Sequence, residues 1–331
     1  MPKPPSRTAP EAPLADAELP PLDPEGPSWP LREVEVNGVT VTVRTTPSDD
    51  PDAEPALFVH GLGGSATNWT DFAALLRGRL AIDAIDLYGH GHSGPAPDNR
   101  YTPDAFADLV IAYLEQSGRG PVHLVGNSMG GAVTILVASR RPDLVRTLTL
   151  VSPAVSDNRI RIYPLKSDPV VALLILPVLG EFVVKQFNRR YAVEVRAKGT
   201  IKLCFARPER FPAARLAEAV TEATYRVNLP WAESAVLRSM RGLVRSQFFH
   251  GRAGWRAMRA IQAPTLVLWG DSDRLVAPDL APYVAAAVPD ARLRVFTDIG
   301  HTAMMEDPVS SARAMVALLD SVRDESRDPA V

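Results

Sequence analysis

The sequence predicts an α/β protein with a mostly parallel, doubly wound sheet and an inserted helical segment. Strand-like apolar runs alternate with helical patterns from residue 56 to residue 152, which is typical of a parallel sheet covered by helices on both faces. The alternation stops at residue 156 and resumes at Pro264. Because the chain has 331 residues, of which 46% are hydrophobic, it can bury a large core, and one domain with an insertion fits better than two independent domains.

The first 30 residues are predicted to form a disordered or extended tail. Ten of them are proline, and the segment has too few apolar residues to offset the entropy lost on ordering. Near Met1 we find no apolar stretch that resembles the core of a signal peptide. Cys204 is the only cysteine, so no internal disulfide can form and a reducing, cytoplasmic location is expected. We interpret Cys204 as a packed side chain rather than a nucleophile.

A β-hairpin is predicted to follow the tail. Two alternating runs between residues 33 and 43 flank the dipeptide Asn37-Gly38, which favours the primed two-residue turn of a hairpin. The next apolar run, residues 56–59, predicts a buried strand that leads into the glycine-rich loop His60–Ser65.

The clearest chemical signal is a G-x-S-x-G motif centred on Ser128. It lies between the apolar run 122–125 and the helical stretch 132–138, where a sharp turn would raise the serine hydroxyl above the sheet as a nucleophile. Gly126 and Gly130 lack a Cβ atom, so the chain can reverse tightly there and can adopt backbone angles that other residues resist.

Two later strands are predicted to end in side chains that can activate this serine. One strand ends just before Asp271 and Asp273, and the next ends shortly before His301. A serine hydroxyl needs a base to take its proton, and the base needs an acid that fixes its tautomer. Ser128, Asp273 and His301 therefore follow one another in an order that is typical of one class of serine hydrolases.

Through these motifs the chain resembles the α/β-hydrolase fold family over roughly residues 31 to 325. The resemblance implies that Ser128 is the nucleophile, His301 the base and Asp273 the acid. Asp273 is preferred as the acid because it lies three residues after Gly270, as in the family pattern, whereas Asp271 follows that glycine directly.

The resemblance also implies an oxyanion hole. Its donors would be the backbone N–H groups of Leu62 and Met129, of which the second follows the nucleophile directly. No cofactor is implied. No metal site is implied either, because the histidines are scattered and no cluster of His, Cys, Asp and Glu residues has the spacing of metal ligands.

The segment between the sixth and seventh strands is where this family carries its helical cap, or lid. The implied domain plan is a disordered, proline-rich tail at 1–30, a first part of the hydrolase core at 31–155, the helical cap at 156–260, a second part of the core at 261–325, and a tail at 326–331.

The predicted cap is strongly basic. Residues 156–260 contain 19 Lys and Arg residues against 8 Asp and Glu residues, whereas the rest of the chain contains 17 against 30. Because positive potential attracts anions, this balance favours peripheral contact with an anionic membrane, or an acidic substrate. The alternative is that these basic helix faces are merely solvated. Nucleic acid is not an expected partner, since no binding motif accompanies the basic residues.

The cap also contains an apolar run, residues 169–179, that is too short to cross a bilayer. It has two interpretations. In one it is a helix that lines an acyl pocket or touches lipid, and in the other it is an ordinary buried helix.

The remaining histidines are expected to have structural roles. His60 and His92 are predicted to hold the glycine-rich loops through ring hydrogen bonds. His90 is predicted to face solvent, and His123 and His250 to be structural.

The predicted function is hydrolysis of small-molecule or lipid carboxylic esters, with apolar or medium-to-long acyl chains, through an acyl-enzyme. In this the chain is similar to the monoacylglycerol lipases. A serine nucleophile argues against the branches of the family that use aspartate, which are the haloalkane dehalogenases and the epoxide hydrolases.

Two alternatives stay open. The first is carbon–carbon bond hydrolysis, because residues 126–131 are also similar to those of the meta-cleavage product hydrolases. Those enzymes usually carry a tryptophan after the catalytic histidine and a proline in the oxyanion loop, where this chain has Thr302 and Leu62-Gly63-Gly64. The second is a non-catalytic ligand receptor or scaffold. The sequence leaves the physiological substrate and the oligomeric state open.

Overall fold

One eight-stranded sheet forms the centre of the protein. The structure is a computed structural model that describes residues 7–48, 50–157, 176 and 179–327. In chain order the strands are β1 Leu31–Val36, β2 Val39–Thr46, β3 Glu54–Val59, β4 Leu80–Ile85, β5 Val122–Asn127, β6 Val145–Val151, β7 Thr265–Gly270 and β8 Ala291–Phe296.

The strands lie in the order β1-β2-β4-β3-β5-β6-β7-β8. The hairpin strands β1 and β2 pair antiparallel, β2 pairs antiparallel with β4, and every other neighbouring pair is parallel. The predicted mostly parallel sheet is therefore confirmed. The carboxyl ends of β3, β5, β7 and β8 meet at one edge of the sheet, which is where parallel α/β sheets place their sites.

The predicted hairpin is also confirmed. Val36 pairs with Val39 across the turn, and Asn37 and Gly38 have φ angles of 52° and 75°. Both angles are left-handed, as the primed two-residue turn requires, and asparagine and glycine tolerate such angles better than other residues do.

Helices cover both faces of the sheet. In chain order they are α1 Thr70–Leu76, α2 Pro103–Ser117, α3 Met129–Arg140, α4 Leu179–Arg190, α5 Val193–Cys204, α6 Ala213–Val227, α7 Ala232–Arg259, α8 Ala281–Ala287, α9 Ala303–Glu306 and α10 Pro308–Arg327. Helix α10 runs beyond residue 325, where the sequence predicted the start of a tail.

The core has two layers, one on each face of the sheet. Alternate residues of β3 contribute to different layers: Leu57 belongs to the cluster formed with α2, α3 and α8, whereas Phe58 belongs to the cluster formed with α1, α9 and α10. Successive side chains of a strand point to opposite faces, so a strand that is buried on both faces must be apolar throughout. This explains why residues 56–59 of β3 and residues 124–125 of β5 are apolar.

The insertion lies between β6 and β7. Its described residues form helices α4–α7 and contain no strand. Apart from Leu176 and Leu179, the apolar run 169–179 lies outside the described residues, so both interpretations of it stay predictions. Within the described ranges, we find no helix that is long and apolar enough to span a bilayer.

The sequence left disorder and extension open for the tail, and residues 7–30 take the extended form and are docked on the sheet. The amide of Ala12 donates to Leu293 O at 2.8 Å, and the amide of Leu293 donates to Pro10 O at 2.9 Å. Ala12 is buried, and Trp29 packs against the second core layer. The physical reason is that β8 is an edge strand, whose free backbone groups are satisfied by this extended segment.

Candidate active site

Ser128 stands at a strained turn between β5 and α3. Its φ and ψ angles are 54° and −115°, a combination that costs a non-glycine residue about 1–3 kcal/mol. Three backbone hydrogen bonds hold the turn: the Ser128 amide donates to Val151 O at 3.0 Å, and its carbonyl accepts from Ala132 N at 3.1 Å and from Ala154 N at 2.9 Å. The serine is half-buried, so its hydroxyl is held at the rim of the sheet.

The glycines around Ser128 serve close approach rather than strain, which corrects part of the prediction. A Cβ atom on Gly130 would lie 2.2 Å from Val59 O, and one on Gly126 would lie 2.5 Å from Thr134 Oγ1. Neither glycine has a positive φ angle, and the left-handed residue is Ser128 itself. The glycines let α3 begin directly against the end of β3, so the strain falls on the serine.

The loop after β3 lies against this turn. Gly64 N donates to Gly61 O at 3.1 Å, and Gly63 occupies the turn with a φ angle of 73°. A Cβ atom on Gly61 would lie 3.1 Å from Ser128 Cβ, so the loop touches the serine. Leu62 follows Gly61 directly, so its backbone amide belongs to the residue next to the one that contacts Ser128.

Met129 is the second predicted donor. It is the first residue of α3 and is buried. The first amides of a helix have no acceptor within the helix, and the helix dipole makes this end attractive to negative charge. The predicted donors are thus Met129, which follows Ser128 directly, and Leu62, which follows Gly61 in the loop against that serine.

The structure pairs His301 with Asp273. Nδ1 of His301 lies 2.8 Å from Oδ2 of Asp273, and both side chains are buried. The other carboxylate oxygen, Oδ1, accepts from Leu275 N at 2.8 Å and from Val276 N at 3.0 Å. A carboxylate accepts only, so Nδ1 carries the proton and Nε2 is left as the basic nitrogen.

Asp271, the other candidate acid, has a different role. It is exposed, and its Oδ1 accepts from Asp298 N at 2.9 Å. It fixes the loop before His301 and makes no hydrogen bond with the imidazole within the described part of the chain.

Asn127 links the serine turn to the histidine loop. Its Nδ2 donates to Val151 O at 3.0 Å and to His301 O at 3.3 Å. Sequence reasoning missed this residue, since an asparagine before a candidate nucleophile has no characteristic spacing. In the described residues no hydrogen bond joins Ser128 Oγ to His301 Nε2. Such bonds are commonly long in unliganded enzymes and tighten when substrate binds.

His60 holds the loop after β3 through its ring nitrogens. It is buried, its Nδ1 lies 2.7 Å from Gly61 O, and its Nε2 accepts from Leu87 N at 3.1 Å. Burial lowers the pKa of His60, so the ring is neutral and can accept that second hydrogen bond. The predicted loop-holding role of this ring is confirmed.

The prediction that His90 faces solvent is wrong. The residue is buried, and its ring centroid lies 5.2 Å from that of His60 and 5.9 Å from that of Phe106. Burial, and then the neighbouring His60 ring, lower the pKa of His90 well below its usual range. The loop folds back against α2, a contact that its glycine-rich local sequence does not reveal.

His92 and His123 join separate elements. His92 Nε2 lies 3.1 Å from Oε1 of Glu222 in α6, so the ring connects its loop to the inserted helices. His123 lies between Thr147 Oγ1 at 2.8 Å and Glu54 Oε2 at 2.5 Å, at the edge of the sheet opposite to Ser128. Its predicted structural role fits this position.

Cys204 lies close to Asp273, but its thiol is unreactive. Burial, and then the charge of Asp273, raise the pKa of the Cys204 thiol to about 12. A thiol is nucleophilic only as the thiolate, so this residue is a packed side chain. We find no group of three or more His, Cys, Asp and Glu side chains in the described ranges that could hold a metal ion.

A largely apolar cavity of about 170 Å³ lies one helical turn beyond Ser128, between α3 and α7. Ala132 and Ala154, whose amides both bind the Ser128 carbonyl, form part of its wall. The remaining apolar lining includes Leu136, Leu243, Trp255 and Met258.

Comparison with known proteins agrees with this geometry. A family model described as alpha/beta hydrolase fold matches residues 55–308. The monoacylglycerol lipase abhd6-B of Xenopus laevis is 25% identical over 288 residues, which cover 85% of this chain and 79% of that protein. Lipase 3 of Moraxella sp. (strain TA144) is 26% identical over 277 residues, which cover 83% and 80%.

Among solved structures, a putative lipase from Acinetobacter baumannii AYE superposes with a TM-score of 0.72 at 20% identity, covering 90% of this chain and 93% of that one. At this level of identity the likeness concerns the fold alone.

Proposed function

The chain belongs to the α/β-hydrolase fold family, and on that premise we propose that it cleaves carboxylic esters with apolar, medium-to-long acyl chains through Ser128, His301 and Asp273. Its lipase relatives support the general activity: the chain is a hydrolase that acts on ester bonds. The observation that carries the finer proposal is the 2.8 Å contact between Asp273 and His301 Nδ1, at the same edge of the sheet as the strained Ser128.

In the proposed mechanism the same groups act in both half-reactions, and His301 acts in each as a base and then as an acid. His301 Nε2 takes the proton of Ser128 as Oγ attacks the carbonyl carbon of the ester. The amides of Leu62 and Met129 donate to the oxyanion that forms, and Asp273 stabilises the imidazolium. The imidazolium then protonates the departing alcohol. Water, activated by the same imidazole, hydrolyses the acyl-enzyme and returns the proton to Ser128.

Apolar substrates are supported by the surface of the inserted helices. Most of the exposed large apolar side chains of the described residues lie there: Leu176, Leu179, Phe182, Phe187, Tyr191, Val195, Leu203, Tyr225, Val227 and Phe248. A concentration of exposed apolar side chains marks a surface that meets apolar matter.

Peripheral membrane contact through the cap is part of the proposal. Exposed basic residues share α4 and α5 with these apolar side chains, among them Lys185, Arg189, Arg190, Lys198 and Lys202. Interfacial helices typically combine two kinds of side chain. Their apolar side chains enter the lipid surface, and their basic side chains bind its anionic head groups. The substrate would then be taken from the membrane surface.

Turnover of p-nitrophenyl esters of increasing chain length tests the substrate class. We expect kcat/KM to rise from acetate to medium chains, because each methylene buried in an apolar site contributes about 0.8 kcal/mol. Ser128→Ala is the control, and a dienoate with a cleavable carbon–carbon bond belongs in the panel. A steep preference for acetate would contradict the apolar substrate class, and faster dienoate cleavage would favour the meta-cleavage alternative.

Binding to liposomes tests the basic cap. We expect sedimentation with anionic vesicles and little with neutral ones, weakening as ionic strength rises past about 0.1 M, where the Debye length is about 10 Å. The double variant Lys185→Glu/Arg189→Glu should bind less, whereas Arg100→Glu, an exposed site on the core, should bind as wild type. Equal binding to neutral and anionic vesicles would refute an electrostatic contact.

A further inference from the structure

A buried carboxylate, Glu306, joins the histidine loop to the inserted helices. Its Oε2 accepts from Gly300 N at 2.7 Å and from Ala206 N at 3.0 Å, and its Oε1 accepts from Arg207 N at 2.7 Å. The side chain is fully buried. We propose that Glu306 is a positioning residue for His301, which makes the placement of the imidazole depend on the docking of the cap. This inference rests on the proposed function.

The histidine backbone is tied to the same segment of the cap. His301 N donates to Cys204 O at 2.7 Å. A Cβ atom on Gly300 would lie 2.3 Å from that carbonyl oxygen, so the two backbones are in direct contact. Phe205, between the two bonded segments, is buried and packs edge-on against Phe211 at 5.3 Å. The end of α5 is therefore a wall of the site.

On its other side the histidine is tied to the serine turn. Its carbonyl accepts from Asn127 Nδ2 at 3.3 Å, and Asn127 precedes Ser128. The backbone amide of His301 is thus hydrogen-bonded to Cys204 in the cap, and its backbone carbonyl is hydrogen-bonded to Asn127 at the end of β5. A displacement of residues 204–207 would act on the imidazole through one hydrogen bond, and Glu306 is the group that holds those residues against Gly300.

The burial of Glu306 sets the strength of this connection. Hydrogen bonds to a charged acceptor are stronger than those between neutral groups, and buried N–H groups without an acceptor are strongly unfavourable. Removing the carboxylate would leave three amides without their partner. The cap and the loop would separate until water reached those amides, and displacement of a catalytic group by about 1 Å can lower the rate by about 10²-fold.

A second, exposed connection between the same two segments provides a matched control. Asp298 pairs with Arg207 at 2.9 Å and with Arg210 at 2.9 Å, and all three side chains are substantially exposed. Exposed ion pairs contribute little to stability. Asp298→Asn therefore removes one negative charge and both of these exposed ion pairs near His301 without opening the buried site.

The test compares Glu306→Gln with Asp298→Asn on a short, water-soluble ester. Glutamine has one acceptor oxygen, so at least one of the three amides loses its partner and faces an NH₂ group. We expect kcat of Glu306→Gln to fall about 10- to 100-fold, with KM within about twofold of wild type because the fully buried Glu306 acts through His301 rather than by contact with the ester. Asp298→Asn should keep both parameters. Hydrogen exchange should increase in residues 204–207 and 298–301 of Glu306→Gln together.

The outcomes separate the inference from the proposed function. Wild type without Ser128-dependent activity overturns both. An active wild type whose Glu306→Gln variant keeps kcat, with only a lower Tm, overturns the positioning role alone, as does an equal loss in Asp298→Asn. If Glu306→Gln does not fold, Glu306→Asp is measured in the same way, since its shorter side chain keeps the charge but cannot reach both segments.

Discussion

Replacing Ser128 with alanine is expected to lower kcat by about 10⁶-fold, because the acyl-enzyme can no longer form and only binding and the oxyanion donors remain. Alanine carries a Cβ atom as serine does, so the backbone strain at a φ angle of 54° is unchanged and the variant should fold. The measurement is hydrolysis of a p-nitrophenyl ester together with covalent labelling by a fluorophosphonate. Labelling should be absent in the variant.

Ser139→Ala is the matched control for this experiment. Ser139 lies on the same helix, α3, and its hydroxyl donates to Leu136 O at 3.1 Å within the helix. Its replacement should leave both turnover and labelling unchanged. Undiminished labelling of Ser128→Ala would show that another residue is the nucleophile and would remove the basis of the proposed mechanism.

Replacing Asp273 with asparagine is expected to lower kcat by about 10⁴-fold at neutral pH. Oδ1 of Asp273 accepts from Leu275 N and Val276 N, so the amide oxygen of asparagine must take that position. Its NH₂ group then faces His301 Nδ1, which must accept instead of donate. The proton moves to Nε2, and the imidazole can no longer receive the proton of Ser128.

Asp271→Asn separates this tautomer effect from a general loss of charge near the loop. Asp271 is exposed and does not bind the imidazole, so its variant should stay within a few-fold of wild type. Measuring kcat of both variants on one ester decides between the two acids. A loss in Asp271→Asn as large as that in Asp273→Asn would mean that the acid is misassigned.

Much of the candidate site could be predicted from short windows of sequence. Ser128, Asp273 and His301 each follow the end of their own strand within five residues, and their relation follows from the rule that parallel strands end at one edge. The hairpin turn at Asn37 and Gly38 is equally local, since their tolerance of positive φ angles is intrinsic.

Other features could not be predicted because they depend on contacts between distant segments. Proline-rich composition indicated a disordered or extended tail, and it did not reveal that Ala12 docks on Leu293, at the far end of the chain. His90 lies in a polar, glycine-rich loop and is nevertheless buried against Phe106. In both cases tertiary packing overrides local composition, which reports only how a segment behaves without its neighbours.

Periodicity and turn chemistry arise between neighbouring residues, so the order of the strands along the chain, the hairpin and the residue types of the proposed triad are already present in the linear chain. The position of the strain at Ser128 and the attachment of the cap to His301 arise only when the chain is folded. Glu306 and Ala206 are 100 positions apart, and a hydrogen bond across such a separation is specified by the packing of whole helices and strands rather than by any local pattern.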